Sequence, residues 1–237
     1  MKNQRHLLKA TVESYMYRAP MVHEHCDRCL RSARWHGSAL LMVIDAAFDS
    51  IGLNYFQSVV PKVELFRRNY VETGLILTLE DLVTADVDEL QTIWKNARSW
   101  HVARKIAAHL LAVQVRNRLG DLDALIHWAK HAPLEGWKSD PVGSIVGVGI
   151  NTYQYLRMMG GVDTIMPDKI VKKVIYEILD TAGMERPDGD LEFIRMVEKL
   201  APRTGYRAIE LCWMTWLVQS EAGLSRTEKY AELLPKI

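Results

Sequence analysis

Residues 146–174 read "VGVGINTYQYLRMMGGVDTIMPDKIVKKV" and contain two closely spaced glycines and two aspartates. Gly147 and Gly149 stand one residue apart, and glycine reaches the backbone conformations that tight turns require. Helical sequence resumes at once in "INTYQYLRMM", residues 150–159. The stretch therefore predicts a glycine turn that leads directly into a helix.

The segment before this turn also predicts a helix. Asp140 and Pro141 are typical of a helix start, with an N-cap followed by a proline in the first helical position, and "PVGSIV" follows. A helix, a glycine turn and a second helix would direct the free N–H groups of the second helix outward, where they suit a phosphate. A glycine-bearing connection that binds no ligand is the alternative interpretation.

Helical periodicity dominates the rest of the chain as well. We expect about ten short helices and find no repeat and no convincing strand alternation, so the predicted fold class is all-α. The clearest amphipathic helix is residues 99–121, which we expect Gly120 to terminate. The remaining helical stretches are residues 38–51, 54–72, 78–96 (as two short helices), 121–132, 188–202 and 205–223.

The composition is that of an ordinary soluble protein. The 237 residues are 49% hydrophobic and 25% charged. The formal net charge of +1 provides no global basic field for a nucleic acid, although a local patch would be enough. No apolar run approaches the roughly 20 residues of a membrane span. Three cysteines without a secretion signal predict an intracellular, reducing compartment, either cytoplasmic or nuclear.

A short segment, "HEHCDRC", sets His23, His25, Cys26 and Cys29 close together. A C-x2-C pair is a normal half of a zinc site, but no second half follows, because Cys212 is the only other cysteine. We therefore favour a helix that buries both cysteines, with a metal site as the alternative. Three cysteines exclude an iron–sulfur cluster with four cysteine ligands.

The glycine turn and the segment after it match a known pair of motifs. "GVGINTY" keeps the glycines, Val148 and Thr152 of the hairpin pattern G-[VI]-G-x-x-T-A. "DKIVKKV" fits a helix that begins at a motif aspartate, here Asp168, and Met166-Pro167 before it resembles an "L-P-D" spelling. Together these motifs resemble the helix–hairpin–helix DNA glycosylases, the HhH-GPD superfamily.

The resemblance implies a fold and a domain organisation. It covers residues 38–180, is strongest over 145–174, and implies a two-lobed helical fold with the active-site cleft between the lobes. The expected divisions are residues 38–135 for the first lobe, 136–180 for the hairpin and catalytic-aspartate region, and 1–37 with 181–237 for the helices that complete the second lobe.

Two aspartates compete for the catalytic position. Asp163 copies the family's "V-D-T" by letter, but it follows the hairpin too closely for one helix to end and another to begin. Asp168 has the spacing of the family and the helical pattern after it, and Pro167 suits a chain that enters a helix. We therefore predict that Asp168 is the catalytic residue, although a plain N-cap is its alternative role.

The resemblance also implies roles for the other residues. Asp168, ionised, would stabilise a sugar cation and orient or deprotonate the attacking water. Gly147, Val148, Gly149 and Thr152 would hold a DNA phosphate, optionally with a monovalent cation on the hairpin carbonyls, and no other cofactor is required. The implied partner is double-stranded DNA that contains a damaged or mismatched base. We expect a monomer that does not contact membranes.

Three departures from the family pattern limit the implied chemistry. Asn151 occupies the position of the lysine that forms a Schiff base in bifunctional members, so we expect hydrolysis without strand cleavage. Phe48 stands where the family has a DNA-wedging glutamine, and it is either an aromatic wedge or a core residue. The family's cysteine cluster is missing. Aromatic candidates to stack on an extruded base are Tyr153, Tyr155, Trp35 and Trp100, each of which could instead belong to the core.

Three functions therefore stand at the level of sequence. The first is a monofunctional DNA glycosylase of base excision repair. The second is a helix–hairpin–helix protein that binds DNA without catalysis, which Asn151 and Phe48 suggest. The third is a helical metal-binding or interaction module built on residues 23–29. The sequence leaves the excised base open among alkylated purines, uracil or thymine mismatches, and oxidised guanine.

Overall fold

The computed structural model describes residues 2–237. It is 67% helical and 2% strand, which confirms the all-α class. Within the described residues no helix is long and apolar enough to cross a membrane.

Thirteen α-helices run through the described chain. They are α1 (Lys2–Tyr17), α2 (Val22–Leu30), α3 (Ala39–Asp49), α4 (Val60–Phe66), α5 (Leu79–Thr84), α6 (Val87–Leu90), α7 (Ala97–Asn117), α8 (Asp121–His131), α9 (Ile150–Met159), α10 (Lys169–Thr181), α11 (Gly189–Thr204), α12 (Ala208–Leu217) and α13 (Arg226–Lys229). Short 3-10 turns lie at Arg34–Gly37, Trp137–Ser139 and Leu234–Lys236, and π-helical turns at Tyr55–Val59 and Arg67–Val71. Strands β1 (Ser220–Glu221) and β2 (Leu224–Ser225) form one antiparallel hairpin.

The helices group into two compact units. One unit combines the chain up to Leu30 with Asp163–Lys236, and the other is Arg31–Val162 with the terminal Ile237. The division at Val162 and Asp163 falls inside residues 136–180, the predicted hairpin and catalytic-aspartate region. The predicted hairpin therefore belongs to the second unit, which we call the continuous unit because Arg31–Val162 is one unbroken segment. Asp168 belongs to the first unit, which combines the N-terminal helices with Asp163–Lys236.

The continuous unit is built around α7. This helix begins at Asn96, whose side chain accepts a hydrogen bond from the Ser99 N–H at 3.2 Å and so supplies the N-cap. It packs against α3, α5 and α8. Trp100 and Ile106 on its inner face are fully buried, and α3 is buried along almost its whole length, so these two helices form the core of the unit.

A buried polar cluster lies in the same unit. One carboxylate oxygen of Asp45, Oδ2, accepts hydrogen bonds from Trp35 Nε1 at 2.7 Å, Tyr155 Oη at 2.9 Å and Tyr55 Oη at 3.0 Å, and Arg34 Nη2 lies 3.4 Å from it. All five side chains are buried. Burial raises the pKa of the Asp45 carboxyl, and the Arg34 charge opposes this only in part.

The cluster holds an unusual turn in place. Trp35 (φ 50°) and His36 (φ 56°) both adopt left-handed backbone conformations, which are costly for residues with a Cβ. The bond from the Trp35 indole to Asp45 fixes the first of them. The buried carboxylate of Asp45 therefore stabilises both the strained turn at Trp35 and the cationic side chain of Arg34.

The other unit joins both ends of the chain. Helix α1 packs against α10 and α11, and α12 packs against α2 and α10. Cys26 and Cys29 of α2 and Cys212 of α12 are fully buried. The two ends of the sequence therefore meet in one apolar core.

Two helix boundaries differ from the expectation. Helix α7 ends at Asn117 with Arg118 in a left-handed conformation, whereas Gly120 is the N-cap of α8, so the predicted role of Gly120 was wrong. Residues 141–146 form successive turns instead of a helix. Asp140 Oδ1 accepts from Val142 N–H at 2.9 Å, which turns the chain there without starting a helix.

Candidate functional site

The glycine turn is a tight reversal that only glycine fits at its first position. Gly147 has φ 109°, and the Val148 N–H donates to Ile145 O at 2.9 Å. A Cβ on Gly147 would lie 2.8 Å from Val102 Cγ2 and 3.1 Å from Arg98 Nε. Both the left-handed region and the close approach to α7 therefore require glycine.

Gly149 has a different role. It is the N-cap of α9 in extended geometry (φ −97°), and a Cβ there would meet no atom within 4 Å. No side chain caps this helix. Its first helical hydrogen bond runs from the Tyr153 N–H to Gly149 O at 3.0 Å, so the N–H groups before Tyr153 have no acceptor within the helix. The N-terminus of α9 therefore has uncapped amides and the positive end of its helix dipole, and its assignment to a phosphate stays a prediction.

An arginine lies against this turn. Arg98, in the first turn of α7, is exposed, and its guanidinium packs beside Gly147. Within the described chain it forms no ion pair. Val146, at the tip of the turn, is 82% exposed. The turn therefore combines free amides with a cation, which is a composition that suits an anionic backbone.

Two hairpin residues in the motif point inward. The side chains of Val148 and Thr152 are buried, so they stabilise the turn by packing. Any contact that these residues make with DNA would come from their main chain.

The aspartate that opens α10 is held by three N–H donors. Asp168 Oδ1 accepts from Ile170 N at 2.7 Å and Val171 N at 2.9 Å, which makes it the N-cap, as predicted. Oδ2 accepts from Trp216 Nε1 at 2.7 Å. Burial raises the pKa of the Asp168 carboxyl, while these bonds and the nearby charge of Arg226 oppose the rise.

Asp163 serves another helix. Its Oδ1 accepts a hydrogen bond from the Ile209 N–H in the first turn of α12. The two aspartates therefore cap two different helices, and only Asp168 carries an indole on its second oxygen.

Asn151 is half-buried in the first turn of α9. Its side-chain Oδ1 is buried and has no hydrogen-bond partner among the described residues. A buried amide oxygen without a donor is costly, so this acceptor is a polar group that a ligand or a water molecule could satisfy.

The aromatic candidates lie in the core. Phe48 is fully buried and stacks on Trp94 with ring centroids 4.6 Å apart, so the structure favours its core interpretation over a wedge. Tyr153 is also fully buried, and its hydroxyl donates to Pro133 O at 3.0 Å. Tyr155, Trp35 and Trp100 are buried as well. None of these rings is placed to stack on an extruded base in this conformation.

The histidines and cysteines of residues 23–29 contact different partners. Cys26 and Cys29 are buried in the core, as the favoured interpretation expected, and Cys26 Sγ contacts Ile209 O at 3.5 Å. His25 packs on the Trp213 ring, and His23 Nδ1 lies 2.5 Å from Glu210 Oε1. Residues 2–237 contain no group of three or more His, Cys, Asp or Glu side chains arranged to hold a metal ion.

Two residues near Asp168, Trp216 and Arg226, belong to no motif that the sequence indicated. Trp216 and Arg226 lie far along the chain from Asp168, and Arg226 Cζ lies 4.9 Å from the centre of the Trp216 ring. No local spacing connects them, because the packing of α12 on α10 and of α13 on α12 brings them together.

Comparison with protein-family models, with curated proteins and with solved structures found no match. The chemistry that the molecule could perform is therefore argued from the geometry of its own residues. It offers a rigidly held carboxylate and, separately, a helix N-terminus with free amides beside a cation.

Proposed function

We propose that the protein is a monofunctional DNA glycosylase, which extrudes a damaged or mismatched base from a duplex and hydrolyses its N-glycosidic bond. The observation that carries this proposal is the carboxylate of Asp168, held at the start of α10 by three N–H donors. The resemblance of the surrounding motif to the HhH-GPD superfamily supports the choice of reaction.

The reaction needs a fixed negative charge. Cleavage of an N-glycosidic bond passes through a sugar cation that resembles the oxocarbenium ion of glycoside hydrolysis. A preorganised carboxylate stabilises such a cation without reorganising. Asp168 Oδ1 is occupied by two backbone amides, so Oδ2, which receives one bond, retains lone-pair capacity for the attacking water.

The glycine turn supports the choice of partner. Uncapped amides of α9 and the guanidinium of Arg98 would contact a backbone phosphate, and such contacts position a protein without reading the base sequence. Affinity should therefore fall with salt, as release of counterions from phosphates requires. Binding and chemistry are assigned to different units of the chain, so variants can separate them.

Asn151 supports a reaction that stops at an abasic site. An amide nitrogen has no basic lone pair for attack on the sugar, so no Schiff base forms at this position. The product is then an intact strand with one base missing.

The test is a panel of duplexes that carry alkylated purines, uracil or thymine opposite guanine, or oxidised guanine. Each duplex is incubated with the protein and then treated with alkali, which cuts abasic sites. We expect alkali-dependent cleavage on at least one lesion, with a rate about 10²–10³-fold lower for Asp168→Asn.

Asp188→Asn is the matched control. Asp188 is the N-cap position of the neighbouring helix α11, but its side chain makes no capping bond and is exposed. This variant should retain the full rate. Duplex binding without base release on any lesion would favour the non-catalytic DNA-binding alternative, and equal rates for Asp168→Asn and the unmodified protein would contradict the assignment of Asp168.

A further inference from the structure

The indole ring of Trp216 bridges a carboxylate and a guanidinium. Its Nε1 donates to Asp168 Oδ2 at 2.7 Å, and Arg226 Cζ lies 4.9 Å from the ring centroid. An arginine within about 6 Å of a tryptophan face is held by a cation–π attraction. A single ring is therefore in contact with Asp168 at its edge and with Arg226 on its face.

Arg226 is itself rigidly placed. It is only 8% exposed, its Nε donates to Glu221 Oε1 at 2.6 Å, and its backbone N–H donates to Gln219 O at 2.8 Å. Glu221 also accepts from Lys229 and Tyr230. The short β1–β2 hairpin thus supplies a fixed support for the guanidinium.

The bond to Glu221 does not satisfy every donor of the Arg226 guanidinium. Arg226 Nη1 is buried without an acceptor among the described residues, so the guanidinium is not placed to satisfy all of its own donors. Burying a charged group in that way is costly. The bond to Glu221 and the contact with the Trp216 ring are therefore the side-chain interactions that fix the guanidinium.

We propose that Arg226 is a positioning residue for Asp168, acting through the Trp216 ring. The guanidinium holds the indole in the orientation that directs Nε1 at Oδ2, and the carboxylate is thereby locked between the helix amides and the indole. The effect on base release rests on the proposed function, whereas the effect on the carboxylate does not.

Arg226 also affects the ionisation of Asp168. Besides the Trp216 indole, the titratable or charged groups that act on this carboxyl from other elements are the Cys212 thiol of α12 and the Arg226 guanidinium of α13. Burial raises the pKa of the Cys212 thiol, so it is neutral at neutral pH. Glu221 is ionised, because bonds from Tyr230, Lys229 and Arg226 outweigh its burial and lower its pKa to about 2, and it offsets part of the Arg226 charge.

The test follows the two partners of the ring by NMR in the full chain. The Asp168 carboxyl carbon is titrated, and the Trp216 indole N–H signal is recorded, in the unmodified protein and in Arg226→Met. We expect the Asp168 midpoint to rise, because the variant removes a nearby positive charge that favours the ionised carboxylate. The indole signal should move toward the position of an unbonded indole.

Arg186→Met is the matched control. Arg186 also stacks on an aromatic ring (Tyr176, 5.1 Å) and pairs with an acid (Asp180), in the same unit but on the surface. This variant should leave both signals unchanged. If Arg226→Met does not fold, Arg226→Lys replaces it, because lysine keeps the charge but loses the planar stack: the indole signal should still move and the midpoint should stay.

Base release is measured on the same variants. We expect kcat to fall about tenfold with KM unchanged in Arg226→Met. Unchanged NMR signals in the folded Arg226 variants would overturn the inference even where base release depends on Asp168. Shifted signals in a protein that releases no base would support the inference and reject the proposed function.

Discussion

The carboxylate of Asp163 lies 2.9 Å from the backbone N–H of Ile209 and caps α12 from outside that helix. Helix α12 also carries Trp216, whose indole reaches Asp168. The two aspartates of the motif region are therefore linked through one helix. One of them supports it at its start, and the other receives a hydrogen bond from its far end.

This difference predicts that the same substitution affects stability at Asp163 and base release at Asp168. Asp163→Asn should lower the free energy of unfolding by up to about 1 kcal/mol, because it weakens a cap, and it should leave base release intact. Asp168→Asn should abolish most base release, because a neutral amide caps a helix but does not stabilise a sugar cation. Denaturant unfolding and the alkali assay measure the two effects. If Asp163→Asn abolishes activity and Asp168→Asn does not, the catalytic assignment is wrong.

The acid side of the pH profile should report Asp168. Burial raises the pKa of this carboxyl above its usual 3.8, and the ionised form is the active one. Base release should therefore decline as the pH falls through a midpoint above that value. Single-turnover rates, corrected for acid depurination without protein, measure it. A profile that stays flat to the ordinary carboxyl range would argue against an ionised Asp168 in the reaction.

Substitutions at Gly147 and Gly149 of the glycine turn should affect different properties, stability at the first and DNA binding at the second. Gly147→Ala should destabilise the protein by 1 kcal/mol or more (about the cost of a strained left-handed residue), since its Cβ also meets Val102. Gly149→Val should fold normally, because its backbone is extended and the space is open. It should nevertheless weaken binding to lesion and undamaged duplexes alike, by blocking phosphate approach. Unchanged duplex affinity of a folded Gly149→Val variant would count against a phosphate-binding turn.

Asn151 predicts the outcome of borohydride trapping. With no amine at this position, reduction in the presence of substrate should give no covalent protein–DNA adduct, and the strand should stay intact until alkali is added. Denaturing gel electrophoresis measures both. An adduct at high yield would show that another amine is the nucleophile, and the monofunctional assignment would fail.

The buried cluster around Asp45 should dominate the stability of its unit. Asp45→Asn leaves the fully buried Arg34 opposite a neutral group, and breaking a buried pair in this way costs about 3–5 kcal/mol. Asp88→Asn, on the exposed surface of the same unit, is the control and should change the unfolding free energy by no more than about 0.5 kcal/mol. Urea unfolding followed by circular dichroism measures both. Equal stabilities for the two variants would mean that Asp45 is dispensable.

Local sequence predicted the elements whose signals are local. Residues 150–159 are the helix that the pattern indicated, and Asp168 is the N-cap that was predicted, because a cap depends on residues two or three positions away. The segment after Pro141 was wrongly predicted as helical. A Cβ on Gly143 would lie 1.9 Å from Trp137 O, so packing of the turn on residues upstream overrides the helix-start signal.

Tertiary contacts explain what the sequence could not predict. Tyr153 and Phe48 have helical spacing that suits a core or a ligand face equally well, and only the packed neighbours decide between them. Tyr155 and Arg34 meet across 121 positions, and Trp216 reaches Asp168 across 48. Such partners have no signature in a single sequence.

The discontinuous unit has a consequence for synthesis on the ribosome. Helices α1 and α2 are made before Arg31–Val162, yet their packing partners in the same unit begin at Asp163, after the whole of that segment. At about 5–20 residues per second, synthesis of Arg31–Val162 takes roughly 7–26 s, and during that time the apolar faces of these two helices lack their partners. The continuous unit can fold during that interval. The nascent chain therefore carries α1 and α2 without their packing partners until α10, α11 and α12 emerge.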